Sequence, residues 1–149
     1  MYKLLIADDE KLEREALRYF VSQSSLDIGE IIECANGNEV VKQVLLVQPD
    51  IILLDINMPG LNGLDAFEQF KNVKHPYRVI FSTAFDYFEY AVKALQLGAM
   101  DFLVKPVDQK RLLSVLVKAM DQLDAEADKA FREQKRNDVL DLMCGKILK

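Results

Sequence analysis

Five short apolar runs constrain the fold of this chain more than any other feature of its sequence. They lie at residues 3–7, 31–34, 51–54, 79–81 and 102–104. Each run is too short for a helix, and Ile51 to Leu54 is apolar throughout instead of alternating with polar residues. Continuous apolar character is typical of strands that are buried on both faces, so the runs predict a parallel sheet covered by helices on each side.

The segments between these runs have the periodicity of amphipathic helices. The first two helices are predicted from apolar residues recurring mainly three and four positions apart: Leu12, Ala16, Leu17, Phe20, Val21, and Val40, Val41, Val44, Leu45, Val47. Further helices are predicted through residues 64–70, from about 86 to 97 before Gly98, and from Asp108 onward. Five strands alternating with five helices predict an open, doubly wound α/β domain.

Polar residues stand where the predicted strands end. They are Asp8 and Asp9 after the first strand, Asp55 after the third, Ser82 and Thr83 at the end of the fourth, and Lys105 after the fifth. Ligands of open α/β sheets bind at the carboxyl ends of the strands, so we expect these side chains to converge there.

The expected cluster holds three carboxylates, whose mutual repulsion must be relieved. Two such charges about 4 Å apart repel by roughly 4 kcal/mol at an effective dielectric constant of 20. A divalent ion with oxygen ligands, best Mg²⁺, together with Lys105 balances the charge of Asp8, Asp9 and Asp55. A site balanced in this way can accept a phosphoryl group, and Asp55 is the predicted nucleophile.

These residues closely resemble the receiver domain of bacterial two-component response regulators. The resemblance rests on Asp8-Asp9, on Asp55 within LLDINMPGLNG, on Thr83-Ala84 and on Lys105-Pro106, and it covers about residues 1–123. It implies a flavodoxin-like fold with five parallel strands in the order 2-1-3-4-5. It also implies a phosphoacceptor module, not an enzyme, although such a module assists its own phosphorylation and dephosphorylation.

The resemblance assigns a role to each matching residue. Asp55 is the implied phosphoacceptor and Asp9 a direct Mg²⁺ ligand, while Asp8 binds the ion mainly through water. The main-chain carbonyl of Asn57 is a further implied ligand, and the side chain at this position tunes the lifetime of the phosphoryl group.

Other implied roles concern the response to phosphorylation. Thr83, followed by Ala84, carries the switch hydroxyl, and Lys105 forms an ion pair with the phosphoryl group. Phe102 occupies the position of the toggling aromatic residue, and Phe85 is a second lifetime-tuning position. The Lys105-Pro106 peptide bond is implied to be cis.

The fourth predicted helix carries two apolar stripes. The stripe predicted to face the sheet comprises Phe88, Ala91, Val92 and Leu95, and the second comprises Tyr87, Tyr90, Ala94 and Leu97. The alternative is that both stripes belong to one wide core face. In receivers the surface of helix four, strand five and helix five pairs two copies, so the second stripe is the candidate interface.

The C-terminal part of the chain predicts a helical linker. The seam Leu113, Leu116, Met120, Leu123, Ala127, Ala130 continues past the length that the sheet can cover. We therefore expect a receiver at residues 1–123 and a linker at 124–149 toward an absent output domain. The segment from Phe85 to Asp108 resembles receivers that are joined to an AraC-type DNA-binding domain, which implies transcription control by the whole protein.

Charge and composition narrow the expected partners. A formal net charge of −5 argues against nucleic-acid binding by this segment. No apolar run is long enough to span a membrane and no signal peptide is evident, so we expect a cytoplasmic protein.

Cys34 and Cys144 have no metal-site spacing, and Cys34 is expected to pack in a strand. The family resemblance implies a sensor histidine kinase as phosphoryl donor; His75 is expected to be an ordinary exposed loop residue.

Two rival functions remain open at this point. An Asp-nucleophile phosphohydrolase of the haloacid dehalogenase type needs an Asp two positions after its nucleophile, where this chain has Asn57. A receiver-like interaction module without phosphorylation needs none of the acidic residues, which are all present here.

Overall fold

The computed structural model describes residues 1–84 and 88–145, apart from the side chain of Phe88. The strands are β1 (Tyr2–Ala7), β2 (Ile28–Cys34), β3 (Ile51–Asp55), β4 (Arg78–Thr83) and β5 (Asp101–Val104), and the helices are α1 (Lys11–Ser22), α2 (Gly37–Val47), α3 (Gly63–Phe70), α4 (Phe88–Gln96) and α5 (Gln109–Met143). The strands form one parallel five-stranded sheet in the order β2-β1-β3-β4-β5, which confirms the predicted flavodoxin-like fold.

Alternate strand residues supply two apolar layers, one on each face of the sheet. On one face, Leu5 and Ile52 pack with residues of α2, α3 and α4. On the other face, Leu4 and Ile51 pack with residues of α1 and α5. The central strands are buried on both sides, which explains why their sequences are continuously apolar.

Side-chain caps fix the starts of three helices. Asn36, Asn62 and the predicted cap Asp108 accept hydrogen bonds from main-chain N–H groups in the first turns of α2, α3 and α5. Gly98, just beyond α4, has a φ of +109°, a conformation that glycine adopts without a steric penalty. The predicted start of α4 near Asp86 lies outside the described residues.

Three apolar residues of the predicted helical stripes are instead exposed: Leu12, Ala16 and Leu45. Leu12 is 78% exposed because it lies in the first turn of α1, while the buried residues of that helix are Leu17 and Val21. Leu45 is also exposed, since the buried stripe of α2 runs through Val40 and Val44. The apolar stripes of both helices are therefore wider than the surface that the sheet covers.

The predicted orientation of α4 is partly wrong, although Ala91 is buried as predicted. Ala94, assigned to the exposed interface stripe, is fully buried, and Leu97 packs against the core. Val92 and Leu95, assigned to the core, are exposed. Ala94 faces the sheet beside Ala91 in place of the larger Val92 and Leu95, and two such small side chains let the helix lie close to the sheet. Of the predicted interface residues, Tyr90 is exposed and Tyr87 lies outside the described residues.

Helix α5 extends well past the sheet. Its last buried residue is Leu123, and in the described part the helix continues to Met143 with side chains that are mostly exposed. The first turn of this extension is bonded to the sheet. Tyr2 donates to the carboxylate of Asp124, and Arg78 contacts Glu126 at 2.7 Å. Among the described residues, no helix combines the length and hydrophobicity that a membrane span requires.

Candidate functional site

The carboxyl edge of the sheet brings the three predicted carboxylates together. Ala7 pairs with Leu54, so Asp8 and Asp55 emerge side by side from neighbouring strands. Carboxylate oxygens of Asp8, Asp9 and Asp55 lie within 4.8 Å of one another. Asp8 is 1% exposed and Asp55 3%, whereas Asp9 faces solvent. Two of the three negative charges are thus removed from water, which is unfavourable unless a cation compensates them.

Lys105 supplies part of that compensation. Its Nζ lies 2.8 Å from Asp8 Oδ2 and 3.1 Å from Asp55 Oδ2, so one ammonium bridges both buried carboxylates. The main-chain N–H of Lys105 donates to the carbonyl of Thr83 at 2.8 Å, which ties the residue to the end of β4. Among the described residues, three carboxylates face the one ammonium of Lys105, so the cluster keeps an excess of negative charge.

This excess shifts the protonation of the site. The pKa of Asp55 is raised to about 6, because burial and the neighbouring charge of Asp8 outweigh the opposing effects of Lys105 and of the Asn57 N–H. Burial lowers the pKa of Lys105, but the hydrogen bond to Asp8 and the charges of Asp55 and Asp8 outweigh it, and the net shift is upward. The ammonium therefore stays charged, while Asp55 is destabilised as an anion.

The loop after β3 holds Asp55 at the mouth of the site. The N–H of Asn57 donates to Asp55 Oδ1 at 3.2 Å, and Ile56 bonds to the carbonyl of Ser82 on β4. Gly63, the first residue of α3, then approaches so closely that a Cβ there would lie 2.3 Å from the carbonyl oxygen of Asp55. A side chain at position 63 is therefore excluded by the backbone of the nucleophile candidate. Sequence reasoning did not single out Gly63.

The remaining predicted site residues lie around this cluster. Thr83 ends β4, is buried, and donates its hydroxyl to the carbonyl of Ala84 at 3.0 Å. Phe102 on β5 is partly buried against the core. The Lys105–Pro106 peptide bond is cis. Phe85 lies outside the described residues.

Asp8 has further partners that sequence reasoning did not find. Its Oδ1 accepts from the N–H of Glu10 at 2.9 Å, and its carbonyl accepts from Arg14 Nη1 at 2.7 Å. Arg14 Nε in turn contacts Glu33 on β2 at 3.2 Å. In the sequence, Arg14 is one of several charged residues on the polar face of a helix, and no spacing rule connects it to Asp8.

A cavity of about 150 Å³ opens beside the carboxylates, lined by Asp9, Glu10, Asp55, Asn57, Ala84 and Lys105. The cluster offers carboxylate oxygens from three residues, the donor type that hard divalent cations such as Mg²⁺ prefer. Its net charge of about −2 after Lys105 matches a divalent ion. The residues present therefore fit a metal centre with room for a small oxyanion.

Two further residues considered in the sequence, Cys34 and His75, lie outside this cluster. Cys34 is buried at the end of β2, as predicted, and burial raises the pKa of its thiol to about 12. His75 is partly buried, and its Nε2 lies 3.0 Å from Asp50 Oδ1. It is therefore not the freely exposed loop residue that was expected.

Comparisons with known proteins point to one family. Residues 4–117 match the family model of the response regulator receiver domain. The chain is 43% identical over 118 residues to the transcriptional regulatory protein BtsR of Escherichia coli K12, and 38% identical to the sensory transduction protein LytT of Bacillus subtilis. Each match covers 79% of this chain and 48% of the relative, so the chain spans about half the length of these curated relatives.

Solved structures show the same fold. The REC domain of AraT, a response regulator from Geobacillus stearothermophilus, superposes with a TM-score of 0.79 at 31% identity, covering 85% of this chain and 98% of that one. The N-terminal domain of the uncharacterized protein WS1339 from Wolinella succinogenes gives a TM-score of 0.75 at 32% identity, covering 85% and 99%.

Proposed function

This chain belongs to the response regulator receiver domain family, and we propose that it is a phosphorylation-dependent switch whose phosphoacceptor is Asp55. One observation carries the proposal. Lys105 bridges the buried carboxylates of Asp8 and Asp55 at the wall of a cavity that Asp55 also lines. A nucleophile, a cation and space for a small oxyanion therefore meet at one place.

We assign the metal site to Asp8, Asp9, Asp55 and the main-chain carbonyl of Asn57. When bound there, Mg²⁺ neutralises carboxylate and phosphoryl oxygens that otherwise repel each other. Lys105 already contacts Asp55 and would pair with a phosphoryl oxygen once Asp55 is modified. Burial of Asp8 and Asp55 strengthens each of these interactions, since little water competes for the same charges.

The proposed donor is a phosphohistidine of a sensor histidine kinase. An Asp55 carboxylate oxygen attacks phosphorus, a P–O bond forms, the P–N bond breaks, and the imidazole leaves with its electron pair and takes up a proton. The product is an aspartyl phosphate, a more highly charged group than the carboxylate it replaces. Catalysis of this transfer consists of positioning and charge neutralisation, so the domain acts as phosphoacceptor and assists the gain and loss of its own phosphoryl group.

The response is proposed to run through Thr83 and Phe102. Thr83 donates to the Ala84 carbonyl, a hydrogen bond that its hydroxyl must leave to reach a phosphoryl group. Asn57 and Phe85 are the proposed lifetime-tuning positions, and they stay predictions from the resemblance.

The proposed output surface is formed by α4, β5 and α5. Tyr90, Val92 and Leu95 on α4 and Val104 on β5 are exposed apolar side chains there. A homodimer through this surface and the extension of α5 is the proposed active form. Ala94 and Leu97 support the surface from below and do not belong to it.

The whole protein is proposed to be a cytoplasmic transcription regulator. The relative BtsR is named a transcriptional regulatory protein, which supports this output. Residues 124–149 would be the linker to a DNA-binding domain, for which an AraC-type domain is proposed on the resemblance of residues 85–108. DNA binding is assigned to that domain, because the acidic receiver lacks a net positive charge.

The test is incubation with Mg²⁺ and a small acyl phosphate, followed by intact mass. We expect the mass of one phosphoryl group to be added to the wild type and to Asp65→Asn, an exposed control on α3, but not to Asp55→Asn. Turnover of many phosphoesters by the wild type would instead identify a hydrolase. The absence of any adduct on the wild type would identify an interaction module without phosphorylation.

A further inference from the structure

We propose that Arg14 is a positioning residue for the metal centre, and that Glu33 holds Arg14 in place for this task. The inference rests on the proposed function, since it concerns the affinity of the Asp8–Asp9–Asp55 cluster for Mg²⁺. Arg14 itself points its guanidinium at a main-chain oxygen and is assigned no contact with the ion.

The contacts of Asp8 show why its main chain matters. Its N–H donates to Cys34 O at 3.0 Å, and its side chain is held by Glu10 N–H and by Lys105. The remaining polar atom, the carbonyl oxygen, accepts the 2.7 Å bond from Arg14. A charged donor forms stronger hydrogen bonds than a neutral one, so this contact is a firm restraint on the orientation of the Asp8–Asp9 peptide plane.

Asp9 depends on that peptide plane. Its carboxylate is exposed and, within residues 1–84 and 88–145, forms no hydrogen bond or ion pair that would orient it. The orientation of the Asp9 side chain is consequently set by its backbone. Arg14 holds the carbonyl of the Asp8–Asp9 peptide and thereby restrains that backbone. Loss of that hydrogen bond leaves one proposed direct ligand free to point away from the cluster.

Glu33 makes Arg14 rigid. The Glu33 carboxylate contacts Arg14 Nε at 3.2 Å and Arg18 Nε at 2.9 Å, so β2 holds both arginines of α1. Arg14 is mostly buried, and its planar guanidinium can bond Glu33 and the Asp8 carbonyl at the same time. Arg18 bonds Glu33 and the carbonyl of Ile31 instead, and thus shares the charge and partner of Arg14 but not its contact with Asp8.

Electrostatics alone predicts the opposite effect. Arg14 is a cation close to an ion-binding cluster, so removing its charge without any positioning effect would strengthen Mg²⁺ binding. Positioning predicts weaker binding. The sign of the change in affinity therefore separates the two explanations.

The experiment measures the dissociation constant for Mg²⁺ by calorimetry in the wild type, Arg14→Met and Arg18→Met. Loss of residues that orient metal ligands typically weakens binding by roughly 10–100-fold, and we expect about tenfold for Arg14→Met. Arg18→Met is expected to stay near the wild-type value. Arg14→Lys, which restores one charged donor, should recover part of the lost affinity.

The outcomes distinguish this inference from the proposed function. A wild type that binds no Mg²⁺ would refute both. A wild type that binds the ion, with Arg14→Met binding as tightly as Arg18→Met or more tightly, would refute the role of Arg14 alone. Thermal unfolding with the metal removed checks that each variant is folded. If Arg14→Met does not fold, Glu33→Gln takes its place and is compared with Glu30→Gln, which removes the same charge from β2 at an exposed position. Weaker Mg²⁺ binding by Glu33→Gln than by Glu30→Gln is expected, and equal affinities would count against the inference.

Discussion

The two edges of the sheet differ in how their charges are balanced. At the carboxyl edge, Asp8 and Asp55 are buried and share Lys105, with Asp9 beside them. At the amino edge, the charges are paired with near neighbours. Asp50 accepts from the Lys3 N–H at 2.7 Å and lies 3.0 Å from His75, and Arg78 is paired with Glu126.

This difference in charge balance indicates that the amino edge stabilises the fold and that the carboxyl edge is built for function. At the amino edge, hydrogen bonds and ion pairs satisfy each group named above and join α5 to the sheet. At the carboxyl edge, burial and the neighbouring charge of Asp8 raise the pKa of Asp55, an arrangement that costs stability and is typical of functional sites.

Two glycines at opposite edges should respond differently to an added methyl group. Gly63→Ala forces a Cβ against the carbonyl of Asp55, and we expect a loss of about 3 kcal/mol in the free energy of unfolding. At Gly29, near the amino edge, the added Cβ meets the side chain of Met1, which is exposed and can move. Gly29→Ala should therefore cost less than about 1 kcal/mol. Urea denaturation measures both, and equal losses would contradict the close approach at Gly63.

Replacing one aspartate at each edge by asparagine should change the free energy of unfolding in opposite directions. In metal-free protein at pH 7, Asp55→Asn should raise the free energy of unfolding by about 2 kcal/mol, because a destabilised buried anion is removed. Asp50→Asn should lower it by about 1 kcal/mol, because it weakens the bonds to Lys3 and His75. Chemical denaturation with a chelator checks both signs. Destabilisation by Asp55→Asn would show that the carboxyl edge is already balanced without an ion.

The pH dependence of the free energy of unfolding should also show that the Asp55 anion destabilises the folded protein. The pKa of Asp55 is about 6 in the folded protein and 3.8 as the ordinary value, so the folded state binds this proton more tightly than the unfolded state. The wild type should therefore lose stability relative to Asp55→Asn as the pH rises from about 4 to 6, and the difference should level off above that range. Metal-free denaturation at several pH values measures it, and a constant difference would contradict the raised pKa.

The smallest expected effect concerns the bonds that join α5 to the amino edge. Arg78→Gln removes the ion pair with Glu126 and alters the hydrogen bond to Gln122, and should cost about 0.5–1 kcal/mol because the pair is partly exposed. Hydrogen exchange should become faster around residues 122–127. Arg132→Gln, on the exposed extension, is the matched control and should leave both quantities unchanged. Equal exchange in the two variants would mean that Arg78 does not hold the helix.

The sequence predicted the fold and the carboxylate cluster because both depend on order along the chain. Short apolar runs ending in Asp8, Asp55 and Lys105 place these residues at one edge of any parallel sheet. The orientation of α4 depends instead on packing, and Ala94 is buried where Val92 and Leu95 were expected.

Other features depend on contacts between distant segments. Arg14 donates a hydrogen bond to the main-chain oxygen of Asp8. Every residue has such an oxygen, so the sequence does not show which of the long polar side chains of α1 makes this contact. The need for Gly63 arises from the distance between α3 and the end of β3, which no local sequence rule specifies. Sequence periodicity therefore identifies helices, strands and the ends of strands. Close contacts between distant segments are visible only in the three-dimensional structure.

The excess of negative charge at the carboxyl edge should make the stability of the folded protein depend on Mg²⁺. The free energy of unfolding at pH 7 is measured in wild type and Asp9→Asn while Mg²⁺ is varied. Above the dissociation constant, the wild-type value should rise by about 1.4 kcal/mol for each tenfold increase in Mg²⁺, as for any ligand that binds only the folded state. Asp9→Asn, which removes an exposed carboxylate, should show a much smaller rise. A wild type whose stability does not respond to Mg²⁺ would show that the carboxyl edge carries no charge excess for an ion to balance.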